Sequence, residues 1–133
     1  IVRLEHLHTG AIEEPIRFEY LNVKCKAKPD VVQDDLVVDF KTISDCSTPN
    51  ILYSARKYKY HLQAAFYLLG TNKKTFYFVF CEKKPPFAYR VIEFDTNSIN
   101  AGMDLVEKGI DRYKRYLEGD IEPPYPVFEV LSI

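Results

Sequence analysis

The chain has 133 residues, 47% of them hydrophobic and 28% charged, which suits one compact domain with a single core and excludes a wholly disordered chain. A net charge of −1 does not announce a nucleic-acid binder, so any such role has to come from charge gathered on one face. No apolar run reaches the roughly 18 residues of a membrane span, and Arg3, Glu5 and His6 interrupt any signal-peptide pattern.

Three widely spaced cysteines, Cys25, Cys46 and Cys81, form no CxxC pair. They argue against a zinc or iron–sulfur site and read as reduced thiols of an intracellular, cytoplasmic protein. Ile1 to Gly10 is short and amphipathic, the expected end of a helix stopped by Gly10. So abrupt an opening is expected of the core or C-terminal part of a longer protein. His6 and His8 are a possible ligand pair, but solvated histidines near a terminus are the commoner case.

Ile16, Phe18 and Tyr20 alternate within Ile12 to Tyr20, a strand pattern, with a turn expected at Leu21 and Asn22. Val23 to Pro29 is the next strand, with Lys24, Lys26 and Lys28 on one face. Leu36 to Thr42 would complete a three-stranded meander.

The stretch Lys26 to Lys41, KAKPDVVQDDLVVDFK, is the most informative. It reads as two short strands joined by a polar turn at Gln33-Asp34-Asp35. Asp30 closes the first strand, and Asp39 and Lys41 lie inside the second. Side chains alternate along a strand, so Asp39 and Lys41 share one face and Val38 and Phe40 the other. Charged residues are depleted in strands. One explanation is a solvated face with a local ion pair; the other is two carboxylates converging on a divalent cation beside an ammonium.

After the loop Ser44 to Asn50, the spacing predicts one helix over Ile51 to Leu69, ended by Gly70. Ala55, Tyr58, Leu62, Ala65, Phe66 and Leu69 form its apolar stripe. Arg56, Lys59, Tyr60, Gln63 and Tyr67 fall on a second face that lacks carboxylates. Phe76 to Phe80 is apolar on both faces, as a buried central strand would be. Phe87 to Phe94 is another strand. Asn97 or Ser98 is the expected cap of a last helix, whose stripe runs Ile99, Met103, Val106, Ile110, Tyr113 and Leu117. The proline-interrupted tail, residues 122–133, is expected to pack over the surface. This order predicts an α/β domain with a mixed sheet and flanking helices.

Pro29-Asp30, then Asp39-Phe40-Lys41, then Gln63-x-x-x-Tyr67 on the next helix resembles the PD-(D/E)xK nuclease superfamily. The runs CKAKPD, VVDFKT and YKYHLQAAFY are most similar to its RecE-like, exonuclease VIII-type branch. The resemblance implies a restriction-endonuclease-like core spanning residues 1–133 and a Mg2+ (or Mn2+) dependent deoxyribonuclease, a 5′-to-3′ exonuclease on duplex ends in phage-type recombination. A nuclease-like module that grips DNA ends without cutting is the alternative.

By position, the resemblance makes Asp30, Asp39 and the Phe40 carbonyl metal ligands, with Glu13 as the acidic partner and Glu14 or Glu19 as alternatives. Lys41 would orient or deprotonate the attacking water. Gln63 and Tyr67 would hold water or the scissile phosphate, and Arg56, Lys59 and Tyr60 would meet the DNA backbone. The branch's histidine on an upstream helix has no matching motif at His6 or His8. A recombinase or annealing partner and a ring-shaped homo-oligomer are further implications. The residues themselves agree on the chemistry: hard oxygen donors without His or Cys favour magnesium or manganese. Between Arg56 and Arg90, eight basic residues face Glu82 alone, as a phosphate-tracking surface would require.

Overall fold

The structure, a computed structural model, describes residues 10–125 and 128–132. The expected N-terminal helix end, with His6 and His8, lies outside the described residues. The elements are β1 (Ala11–Ile12), β2 (Ile16–Tyr20), β3 (Val23–Ala27), β4 (Val31–Gln33), β5 (Leu36–Ile43), α1 (Thr48–Tyr58), α2 (Tyr60–Thr71), β6 (Thr75–Glu82), β7 (Tyr89–Ile92) and α3 (Thr96–Leu117). This is the expected α/β architecture, a mixed sheet flanked by helices.

The five-stranded sheet runs β1-β4-β5-β6-β7. Among the described strands only β5 and β6 are parallel, joined by the α1–α2 crossover; the other pairs are antiparallel. The expected three-stranded meander does not form, because β2 and β3 make a hairpin sheet of their own. Leu21 and Asn22, both at positive φ, form its two-residue turn. Pro29 explains the separation. It is fully buried and has no N–H to give a ladder, so β3 stops at Ala27 and Asp30 directly precedes β4 instead of closing β3.

The predicted single helix is two. Lys59 adopts the left-handed conformation (φ 57°, ψ 47°) between them. Its N–H donates to the Ala55 carbonyl, and its own carbonyl accepts from the Leu62 and Gln63 N–H groups. One residue thus ends α1 and starts α2. The break rotates the faces: Tyr58, expected in the core stripe, is exposed, while Tyr60 packs into the core. Gly70 lies within α2 against the Phe18 ring, and Asn72, at positive φ, ends the helix instead.

Val37, Ile43, Phe76, Phe78 and Phe80 from the sheet meet Ile51 and Ala64 of α1 and α2 in the main core. Behind α2 lie α3 and the hairpin, meeting around Ala65, Val106 and Ile110. Four of the six residues of the expected α3 stripe pack inward, but Tyr113 and Leu117 are exposed. At about 1.5 Å per residue α2 spans roughly half the length of α3 and cannot cover its last turns. Asp95, not Asn97 or Ser98, caps α3 by accepting the Ser98 N–H at 2.8 Å. Among the described residues beyond Pro124, Tyr125, Phe128, Val130 and Leu131 are exposed and do not pack as expected. No helix among the described residues is long and apolar enough to cross a membrane.

Candidate active site

Proline at position 29 also prepares the edge of β5. The β4–β5 register pairs Val31 with Val38 and, continued outward, sets Pro29 opposite Phe40. Proline offers no N–H to the Phe40 carbonyl. The Phe40 N–H, on the same edge, donates to Asp30 Oδ2 at 2.7 Å. In a strand the N–H and C=O of one residue point to the same side, so the Phe40 carbonyl faces the edge where Asp30 sits. The proline–aspartate pair thus gives the Phe40 carbonyl no N–H partner at Pro29, beside a carboxylate whose Oδ2 accepts from the Phe40 N–H.

Asp39 and Lys41 lie on the helix-covered face of β5, the face of Val37 and Ile43. Asp39 is 5% exposed, the one buried charged residue among those described. Lys41 Nζ stands 2.9 Å from Asp39 Oδ2 as an ion pair, yet that oxygen is buried and has no directed hydrogen bond from the described residues. Burial pushes the Asp39 carboxyl above its ordinary pKa; Lys41 opposes the rise and Asp30 adds to it. An under-satisfied buried carboxylate oxygen beside a second carboxylate and the Phe40 carbonyl fits a hard divalent cation that keeps several waters.

The other expected residues divide. Glu13 is drawn to Asp30 by the sheet, its N–H donating to the Asp30 carbonyl at 2.9 Å. Its side chain is exposed, and among the described residues no group of three or more Asp, Glu, His or Cys side chains converges. Glu13, Glu14 and Glu19 therefore do not complete a three-carboxylate cluster with Asp30 and Asp39. Glu13 turns out at positive φ between β1 and β2, and Glu19 lies opposite Lys24 in the separate hairpin.

Gln63 is half-buried on α2, with no hydrogen bond to Asp30, Asp39 or Lys41 among the described residues. Tyr67 packs 6.2 Å from Phe76, which pairs with Val37, so it sits two residues along the sheet from the level of Asp39. Of the three residues expected to meet the DNA backbone, Arg56 and Lys59 are exposed, whereas Tyr60 packs against the core. Arg56 borders a cleft of about 250 Å³ with Leu52, Ala55, His61 and Phe94, and Lys59 forms the helix break.

Tyr60 is the residue whose place the spacing misread. Its ring stacks on Phe78 at 5.5 Å, and Lys41 Nζ lies 4.7 Å above its centroid. The aromatic face thus carries the ammonium that pairs with Asp39. Only the break at Lys59 turns Tyr60 inward, and neither glycine nor proline marks that break.

The sequence matches a family described as a PDDEXK-like domain of unknown function (DUF3799) over residues 3–126. No curated protein matches it. The fold is similar to the crystal structure of a candidate exonuclease from Eubacterium rectale, at a TM-score of 0.70 and 19% identity, over 96% of this chain and 57% of that one. A second solved structure, of SSO0001, overlaps less well, at a TM-score of 0.49 and 18% identity, over 76% of this chain and 50% of that one. The chain spans about half the length of these two proteins.

Proposed function

The chain belongs to the family of the PDDEXK-like domain, and from that premise we propose that it is a metal-dependent deoxyribonuclease acting on the ends of linear duplex DNA. One observation carries the reading: the buried, under-satisfied Asp39 carboxylate, with Asp30 beside it and Lys41 2.9 Å away. Asp30, Asp39 and the Phe40 carbonyl would hold a magnesium or manganese ion. Such an ion supplies positive charge for the phosphoryl oxygens and lowers the pKa of a bound water. Lys41, held between Asp39 and the Tyr60 ring, orients the attacking water and offsets charge developing on the phosphorus centre. Asp30 keeps its place because the Phe40 N–H anchors one of its oxygens.

The RecE-like resemblance supports the finer reading, a 5′-to-3′ exonuclease of phage-type recombination with an annealing partner and a ring-shaped assembly. The test is direct. Incubated with end-labelled duplex and magnesium, the parent releases label, while Asp39→Ala and Lys41→Ala lose at least about 100-fold in rate. A folded parent that releases nothing in either metal sinks the proposal. A second reading, a module that grips ends without cutting, is favoured by the absence of a third carboxylate or histidine beside Asp30 and Asp39 among the described residues. Salt-sensitive binding without cleavage in all three proteins would select it.

A further inference from the structure

The outer side of α1 carries rings that lead inward. Tyr53 and Tyr58 are 62% and 60% exposed and join none of the core clusters. Lys57 Nζ lies 5.8 Å from the Tyr53 centroid and 5.3 Å from that of Tyr58. Tyr58 in turn stacks on Tyr60, with centroids 5.8 Å apart and planes inclined by 25°. Tyr60 carries the Lys41 ammonium. A continuous path of aromatic faces therefore runs from solvent to the candidate site. No Asp or Glu occurs from Cys46 to Cys81, so the cations along this path, Lys57 and Lys59, belong to a segment without acidic residues.

Exposed rings set among cations suit one ligand chemistry. Unpaired bases have free π faces that stack on tyrosine, and their phosphates take nearby cations. A duplex stacks those faces internally and presents base edges in its grooves, so the rings offer little to an intact double helix. We propose that the Tyr53–Lys57–Tyr58 face of α1 is a stacking platform for a single-stranded nucleic-acid end, which it leads along Tyr60 toward Lys41. The inference names the form in which a duplex end would enter the site of the nuclease reading, as an unpaired strand. It rests on that reading for the cleavage of the bound strand, but not for the binding itself.

The test is fluorescence anisotropy in EDTA, which removes cleavage. The probes are a labelled oligothymidine of about 12 nucleotides, an abasic strand of the same length and charge, and a blunt duplex. Tyr58→Ala is expected to weaken oligothymidine binding at least about fivefold, leave the abasic strand and the duplex nearly unchanged, and be rescued in Tyr58→Phe. Tyr53→Ala should act in the same direction, and circular dichroism checks that each variant folds. An equal loss on the abasic strand, or no loss in either alanine variant, overturns the platform. Cleavage in magnesium with ring-independent binding would sink the platform alone. Ring-dependent binding without cleavage would sink the nuclease reading alone.

Discussion

Tyr60 shows how much a single ring can decide. A cation held over an aromatic face gains about 0.5–2 kcal/mol, most when desolvated, and Lys41 is only partly exposed over Tyr60. If that contact positions the ammonium, Tyr60→Leu should lower kcat about 2- to 30-fold with KM little changed, and Tyr60→Phe should keep most of the rate. Equal losses in the two variants would show that the hydroxyl matters and the ring does not. Asp39 gives a readout that needs no turnover. Its pKa is raised, chiefly by burial, so the metal-free native state holds a proton more tightly than the unfolded chain. The stability this lends is fully present below the ordinary value of 3.8 and is lost as pH rises through the raised one. Asp39→Asn should flatten that part of the stability–pH profile. It should also abolish a magnesium-induced rise in Tm, which in the parent corresponds to about 2.7 kcal/mol at a hundred times Kd. Scanning calorimetry with and without magnesium decides; an equal rise in both proteins removes Asp39 from the ligand set.

At the scale of elements, α3 contains a matched pair of glycines. A Cβ at Gly102 would lie 2.1 Å from the His61 carbonyl oxygen of α2, whereas one at Gly109 would meet nothing within 4 Å. Helix propensity favours alanine over glycine by about 1 kcal/mol at either position. At Gly102 the clash is with backbone, and overpacking of about 1–3 kcal/mol wins. Gly109→Ala should therefore raise the denaturant midpoint and Gly102→Ala lower it; a rise in both would mean that α2 and α3 slide apart freely. Strand alternation, the Leu21–Asn22 turn and the buried β6 were legible in the sequence because they depend on neighbours in the chain. The break at Lys59 was not. A lysine in the left-handed region has no compositional signature, and the packing of Tyr60 on Phe78 and under Lys41 that accompanies the turn depends on the rest of the fold. Pro29 was legible as a residue of the site but not as the stop that splits the hairpin from the sheet.

For the molecule as a whole, charge that is clustered along the chain is not clustered in space. Lys73 and Lys74 precede β6 and Lys83 and Lys84 follow it, roughly 30 Å apart at strand rise. Because β5 runs parallel to β6, Asp39 pairs with Phe78 near mid-strand, and Lys41, paired with Phe80, marks the side of the site toward the Lys83–Lys84 end. If nucleic acid docks there, Lys83→Ala with Lys84→Ala should reduce the salt slope of binding by about one for each phosphate no longer neutralised. The same change at Lys73 and Lys74 should leave the slope alone. Equal effects of the two pairs would mean that the ligand tracks the length of the sheet. The central pair of the site, Asp39 and Lys41, was legible because a charged pair on an apolar strand is a local anomaly. The roles given to Glu13 and Tyr67 depended on distances across the fold, and there the positions diverge: Glu13 turns outward from the end of β1, and Tyr67 stands beside Phe76.

The short bond from the Phe40 amide to Asp30 gives the molecule a built-in reporter. An amide proton donated to a carboxylate at 2.7 Å should resonate well downfield. In a nitrogen–proton correlation spectrum, that one resonance would register whether the two strands bearing the acidic groups remain docked, long before any global unfolding is visible.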